Sequence, residues 1–206
     1  MTEASERALL GLRDLHTLQW YVIPLLAIVF YIYATEIKKA RGNGDWNAIF
    51  AGLTIFGMDF FNETWNGWVF HLSGYSAFWT APGPTALRTM IGWNIEIMFM
   101  FLLSGLIFYN SLSENKNAKI FGVSEKWAVA VGYAAFCVFI ECLLNMAGLL
   151  VWEYSFWKLS FGGVWLVFLI GYFSFYVATI LVIGMRTNKG KIIAVASIYA
   201  VPIIMN

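Results

Sequence analysis

Residues 46–70 read WNAIFAGLTIFGMDFFNETWNGWVF. The stretch contains no lysine or arginine, yet Asp59 and Glu63 stand in its interior. As a helix it would rise about 37 Å at 1.5 Å per residue, enough to cross the roughly 30 Å hydrocarbon core of a bilayer. On a helical wheel Asp59, Asn62, Glu63 and Asn66 fall within an arc of about 100°. The segment is therefore an apolar rod with one polar stripe, and a stripe of acids and carboxamides turns toward a bundle interior.

The rest of the chain calls for the same solvent. Of 206 residues 60% are hydrophobic and 12% charged, against about 25% charged in an ordinary soluble domain; mean hydropathy is +0.70. A soluble domain of roughly 150–300 residues buries only about 70–75% of its unfolded surface. Lipid must cover what remains. This excludes a soluble enzyme, a disulfide-stapled secreted domain and a nucleic-acid binder, since a net charge of +1 offers no basic surface to phosphates. Cys137 and Cys142 lie inside an apolar run and read as small packing residues.

Hydropathy predicts an all-α, polytopic membrane bundle in a single domain, with about six transmembrane helices in a plasma or endomembrane. The spans fall near 20–35, 46–70, 86–109, 127–151, 160–185 and 192–205, the first and last being short. Residues 1–18 mix charge with Ala8, Leu9, Leu12 and Leu15, lack a cleavage site, and are expected to form an N-terminal interfacial helix. Lys38, Lys39, Arg41, Lys116, Lys119, Lys126, Arg186, Lys189 and Lys191 occupy alternate loops, and Arg7, Arg13, Arg88 and Lys158 the others. By the positive-inside rule both termini then lie outside. The loop 71–85 has no Lys or Arg but carries Tyr75, Phe78, Trp79, Pro82 and Pro84. It reads as an interfacial re-entrant loop anchored by its rings, or as a lid over a pocket mouth.

Four acids sit within the apolar stretches: Asp59, Glu63, Glu96 and Glu141, with no embedded cation to neutralise them. Each would cost about 2.5–3.5 kcal/mol at a helix centre, and four such costs rival a domain's stability of about 5–15 kcal/mol. They must be protonated, metal-bound, hydrated, or paired with a cationic ligand. Counting 1.5 Å per residue from the outer span ends puts Glu63, Glu96 and Glu141 at depths of roughly 12, 15 and 16 Å. Three carboxylates on consecutive helices are thus expected to share a level in the outer half, and they are the candidate catalytic groups. Asp59, Asn62, Asn66, Trp65, Trp93, Asn145, Trp152 and His71 are the candidate substrate-binding residues. Asn62, Asn66 and Asn145 would serve equally as interhelical hydrogen-bonding glue.

The chain's two histidines, His16 and His71, supply neither a zinc or di-iron ligand set nor a nucleophile–base pair. No redox cofactor is expected; a divalent cation is the one ion the acids could take. A carboxyl group walled in by hydrocarbon can act as a general acid toward an alkene or epoxide, with a second carboxylate completing the cycle. Trp65, Trp68, Trp93, Trp152, Trp157, Trp165, Tyr172 and Tyr176 lie near the same bundle, and ring faces stabilise a migrating positive charge.

The stretch Asp59-Phe60-Phe61-Asn62-Glu63 resembles a motif in the second helix of the small integral-membrane terpene cyclases of meroterpenoid and indole-diterpene pathways. The resemblance implies that Glu63 protonates an epoxide with Asp59 beside it. That family has a Trp before the Glu, where this chain has Asn62, and a second acid in a seventh helix. The layout is also similar to the sterol isomerases, with their Glu-lined aromatic membrane pocket. The expected activity is acid–base cyclisation or isomerisation of an isoprenoid or other lipid-like substrate, the partners being the bilayer and a hydrophobic small molecule. The alternatives are a small-solute, cation or proton transporter, a substrate-binding membrane subunit, or a structural subunit. Oligomeric state is left open.

Overall fold

A computed structural model describes residues 1–115 and 117–206, so Lys116 of the basic loops lies outside the described residues. The chain is mostly helical. α1 (Glu3–Leu10) leads through a short 3-10 turn to α2 (Val22–Asn43), α3 (Asn47–Ser73) and α4 (Ile95–Asn110). α5 (Glu125–Met146), α6 (Phe161–Ile183) and α7 (Asn188–Met205) follow. Two small antiparallel hairpins precede α4 and α5: β1 (Arg88–Met90) with β2 (Trp93–Asn94), and β3 (Lys119–Ile120) with β4 (Val123–Ser124).

α5, α6 and α7 are long and apolar enough to cross a membrane, and α4 is a shorter apolar helix. Only 22%, 33% and 17% of the apolar segments of those three are buried, so most of their hydrophobic surface faces outward. Phe136, Phe139, Leu181, Ile193 and Ile203 are among the large exposed side chains. A water-soluble protein does not present such a coat. α2 and α3 are long as well, but α2 carries Glu36, Lys38, Lys39 and Arg41 toward its end, and α3 carries Asp59 and Glu63 in its middle.

α3 is the central helix, packed against α4, α6 and α7. Its contact with α4 is made by small residues: a Cβ on Gly105 would run into the backbone of Ala51 and Gly52. Helices in lipid gain their association from such close backbone approach. α3 stops at Gly74, whose φ of 59° closes the last turn onto the Phe70 carbonyl.

Several element boundaries differ from those expected. The first span extends to Asn43, because hydropathy discards Glu36, Lys38, Lys39 and Arg41 although the helix continues through them. The last begins earlier, at Asn188, capped by the Thr187 hydroxyl. The interfacial segment is helical only over Glu3–Leu10, and its Ala4, Ser5 and Ala8 are buried against the protein. The fourth span ends at Met146 rather than 151, where Gly148 turns the chain at a φ of 71°.

The largest correction concerns the third span. Residues 86–94 are not helical: Arg88 pairs with Asn94 and Met90 with Trp93, and the Asn94 side chain caps α4 by accepting from the Ile97 amide. Hydropathy sees the apolar content of this hairpin but not its strand pairing. α4 is accordingly 16 residues long, about 24 Å at 1.5 Å per residue. Of the basic residues, Lys126, Arg186 and Lys191 surround one cleft at one end with Asp45 and Glu114. Arg13 and Arg88 meet at the other end, where the Arg13 amide donates to the Arg88 carbonyl.

Candidate functional site

The polar stripe of α3 faces inward. Asp59 and Glu63, one turn apart, are 4% and 3% exposed, and Glu141 of α5, at 6%, faces the same space. The three carboxyl groups line one cavity of about 140 Å³ with Asn62, Phe101, Phe136, Cys137 and Tyr172 among their neighbours. Phe136 is 61% exposed on the outer surface of α5, which places a mouth of the cavity on the flank of the bundle.

Each carboxyl has its own indole donor. Trp93 Nε1 donates to Asp59 Oδ2 at 2.7 Å, Trp79 Nε1 to Glu63 Oε1 at 2.7 Å, and Trp152 Nε1 to Glu141 Oε1 at 3.2 Å. An indole N–H donates and cannot accept, so these contacts fix the acids without taking their protons. Glu63 Oε2 is buried with no hydrogen-bond partner, and Trp157 Nε1, in the same cavity wall, is likewise unpartnered. No cation reaches the three acids among the described residues. Among the described residues the ion pairs are Arg7–Glu3 at 3.9 Å and Lys39–Glu36 at 2.6 Å, both elsewhere.

One buried arginine is present nearby, but it is committed to backbone. Arg88, assigned by sequence to an outer loop, is 4% exposed. Its guanidinium donates to the carbonyls of Ala81 at 2.7 Å, Ala8 at 3.2 Å and Gly83 at 2.5 Å. It thereby pins α1 and the loop 74–87 over the end of α3. That loop is folded into the protein: Thr80 and Val151 exchange backbone bonds of 2.9 and 2.7 Å. Trp79 is 8% exposed and stacks on Trp157 at 5.8 Å. The loop thus walls off the acids on this side through Trp79, while the mouth of the cavity lies beside Phe136 rather than beneath the loop.

Glu96 is not in the cavity. The depth of about 15 Å expected for it rests on a third span that starts at Ala86; with α4 starting at Ile95, it lies in the first turn. There it accepts from the Tyr21 hydroxyl at 2.5 Å, the Thr85 hydroxyl at 2.5 Å and the Ala86 amide at 2.9 Å. It ties α2 and the loop to the positive end of α4. Asp59, rather than Glu96, completes the group of three acids with Glu63 and Glu141.

The remaining candidates divide between the cavity wall and its supports. Asn62 lines the cavity, and its amide approaches the Ile170 carbonyl at 3.4 Å. Trp93 and Trp152 stand behind the acids they hold. Asn66 clamps the loop, donating to the Trp79 carbonyl at 2.7 Å and accepting from the Phe78 amide at 2.8 Å. Asn145 donates to the Leu150 carbonyl at 3.0 Å, closing the turn after α5. Trp65 packs on Phe78 and Trp79 from outside, and His71 is exposed against the edge of Trp68.

Sequence reasoning did not assign Trp79, Trp157 or Tyr172 to the site. Trp79, expected as an interfacial ring, and Trp157 and Tyr172, expected near the bundle as rings that stabilise positive charge, all line the cavity. A local irregularity in α6 brings Tyr172 there. Val167–Phe173 forms a π-helical segment, and Val167, Gly171 and Tyr172 from it line the cavity. Such widened turns are frequent at functional sites. Among the described residues no three of His, Cys, Asp and Glu are arranged to hold one metal ion.

Fold and surface together define a helical membrane protein with a buried acidic site. Over residues 2–206 the chain matches, and belongs to, an uncharacterized membrane protein family. It is similar to an uncharacterized protein of Archaeoglobus fulgidus, with 47% identity over 175 residues, which span 85% of this chain and 80% of that protein. No solved structure matches it.

Proposed function

We propose that this protein is a six-span membrane enzyme that performs acid–base isomerisation or cyclisation of an isoprenoid or other lipid-like substrate without a redox cofactor. One observation carries the reading: Asp59, Glu63 and Glu141 converge on a cavity walled largely by aromatic rings, with a lipid-side mouth and no cation among the described residues. At about 140 Å³ the cavity is smaller than the roughly 300–1,000 Å³ that enclose a whole drug-sized ligand. It suits the reacting end of a chain whose remainder lies along the flank beside Phe136 and Met100.

In this reading Glu63 delivers a proton from Oε2 to an alkene carbon or epoxide oxygen, leaving a carbocation in the substrate. The ring faces of Trp79, Trp157, Phe101 and Tyr172 stabilise that charge as it migrates. Glu141 or Asp59 then removes a proton from the carbon skeleton, and the electron pair of the broken C–H bond forms the new double bond. One proton enters and one leaves, so the product is an isomer of the substrate.

The test is to purify Glu63→Gln, Glu141→Gln and Asp59→Asn and incubate them with prenylated or epoxidised lipids, following products by mass spectrometry. Conversion by the unaltered protein, lost in the variants while they remain folded, is the expected outcome. The same acids without a cation also fit a cation or proton carrier. Ion flux into liposomes that depends on them, with no chemical conversion, would replace the enzymatic reading.

A further inference from the structure

Glu63 borders more than one cavity. Besides the aromatic one it shares with Asp59 and Glu141, it lines a second space of about 370 Å³ at the far end of α3. Arg13, Thr64, Gly67, His71, Thr89 and Asn206 are in the wall of this second space. Arg13 and His71 are exposed there, and the Asn206 amide donates to the Thr64 hydroxyl at 2.7 Å. The two spaces differ in degree. The first is walled almost wholly by Phe, Trp, Leu and Ile beside its acids. The second, though also bordered by Leu9, Leu12, Trp68, Phe70 and Ile91, is more open and brings Arg13, His71, two threonines and an amide to its wall. Between them stands a carboxyl whose Oε1 is held by Trp79 and whose Oε2 is buried without a partner.

We infer that the second cavity is an aqueous proton port, through which water reaches Glu63 while the aromatic cavity is kept for hydrocarbon. The inference builds on the reading of Glu63 as a proton carrier and adds the route by which it is recharged. A carboxylate at Glu63 takes a proton from hydronium in the port: an O–H bond forms on the carboxylate as one breaks in hydronium, releasing water. The reverse step discharges it. The ionisable groups around Glu63 are Asp59 on its own helix, Glu141, Cys137 and Tyr172 across the first cavity, and Arg13 and His71 around the second. The faces that α4 and α7 turn to these spaces carry no charged side chain among the described residues. Water admitted through the more open, mixed-lined space on one side of Glu63 would exchange its proton without entering the aromatic space on the other, where a carbocation would be quenched.

Gly67 supplies the means of testing this, because a Cβ built there meets nothing within 4 Å. Gly67→Phe should therefore fill the port without displacing backbone, and Gly67→Ala should leave it largely open. The full-length protein in detergent is mixed rapidly from H₂O into D₂O, and the Glu63 carboxyl stretch, assigned by its absence in Glu63→Gln, is followed by infrared spectroscopy. Exchange should be complete within mixing in the unaltered protein and in Gly67→Ala. Gly67→Phe should slow it by an order of magnitude or more, whereas Phe136→Trp, at the mouth of the other cavity, should not. Met90→Trp, from the opposite wall of the port, serves if Gly67→Phe does not fold. Unchanged exchange in the plugged variant, slowing by Phe136→Trp instead, or no Glu63 carboxyl band at neutral pH would each overturn the port. No substrate is needed, so this result and that of the product assay stand separately.

Discussion

The pairing of one indole with each carboxyl is the most specific chemistry in the molecule, and it can be tested one residue at a time. Trp79→Phe keeps most of the ring but removes the only hydrogen bond to Glu63 Oε1 among the described residues. A buried polar group stripped of its partner costs about 1–3 kcal/mol, and thermal unfolding in detergent should register that loss. In a Glu63→Met background the same change should cost much less, because nothing polar is then left behind; equal losses in both backgrounds would mean that the bond is not what Trp79 contributes. Arg88 offers a second case. Arg88→Met strands the carbonyls of Ala8, Ala81 and Gly83 and should cost about 3 kcal/mol or more. Arg88→Lys should rescue little, since a point-charge ammonium cannot replace a guanidinium that reaches three acceptors in different directions.

At the scale of helices, two glycines predict opposite signs. A Cβ at Gly105 would meet backbone of α3, which cannot move aside as a side chain can. Gly105→Ala should therefore destabilise by about 1–3 kcal/mol, the usual cost of overpacking. Gly67→Ala meets open space and should stabilise by up to about 1 kcal/mol through helix propensity. Calorimetric unfolding of both variants checks the pair. The same scale explains what the sequence made legible. Asp59, Glu63 and Glu141 could be found because an acid in an apolar run is expensive wherever the helix ends are drawn. Glu96 could not be placed, because its depth depended on the start of α4, and a hydropathy window weighs the hairpin 88–94 as if it were helix. Trp79 and Trp157 lie in loops, where an aromatic ring usually means a membrane belt. Only the folding of residues 74–87 against Val151 turns them inward. The π-helical segment that presents Tyr172 leaves no mark in the sequence beyond Gly171.

At the scale of the whole molecule, six crossings would fix which loops share a side of the membrane. In sealed vesicles, single cysteines at Asn43 and Ser113, in a background without Cys137 and Cys142, should react with an impermeant maleimide from one side. Cysteines at Ser73 and Tyr75 should react from the other. Labelling of both sets from a single side would rule out the six-span arrangement. The architecture also separates tasks along α3: close backbone packing in its first half, the acids in its middle, and an opening of mixed polar and apolar lining at its end. Helices that face lipid for most of their surface leave room for few polar groups, so those they do bury are concentrated in one place.

The convergence of Asp59, Glu63 and Glu141 underlies every functional step proposed here, and infrared titration of their carboxyl bands tests it most directly. Groups that share a cavity titrate as a set, so Asp59→Asn, Glu63→Gln or Glu141→Gln should each displace the titration of the two acids that remain, and Glu96→Gln should leave all three unmoved. Independent titration of the three acids, or a displacement caused by Glu96→Gln as large as those within the cluster, would contradict the account.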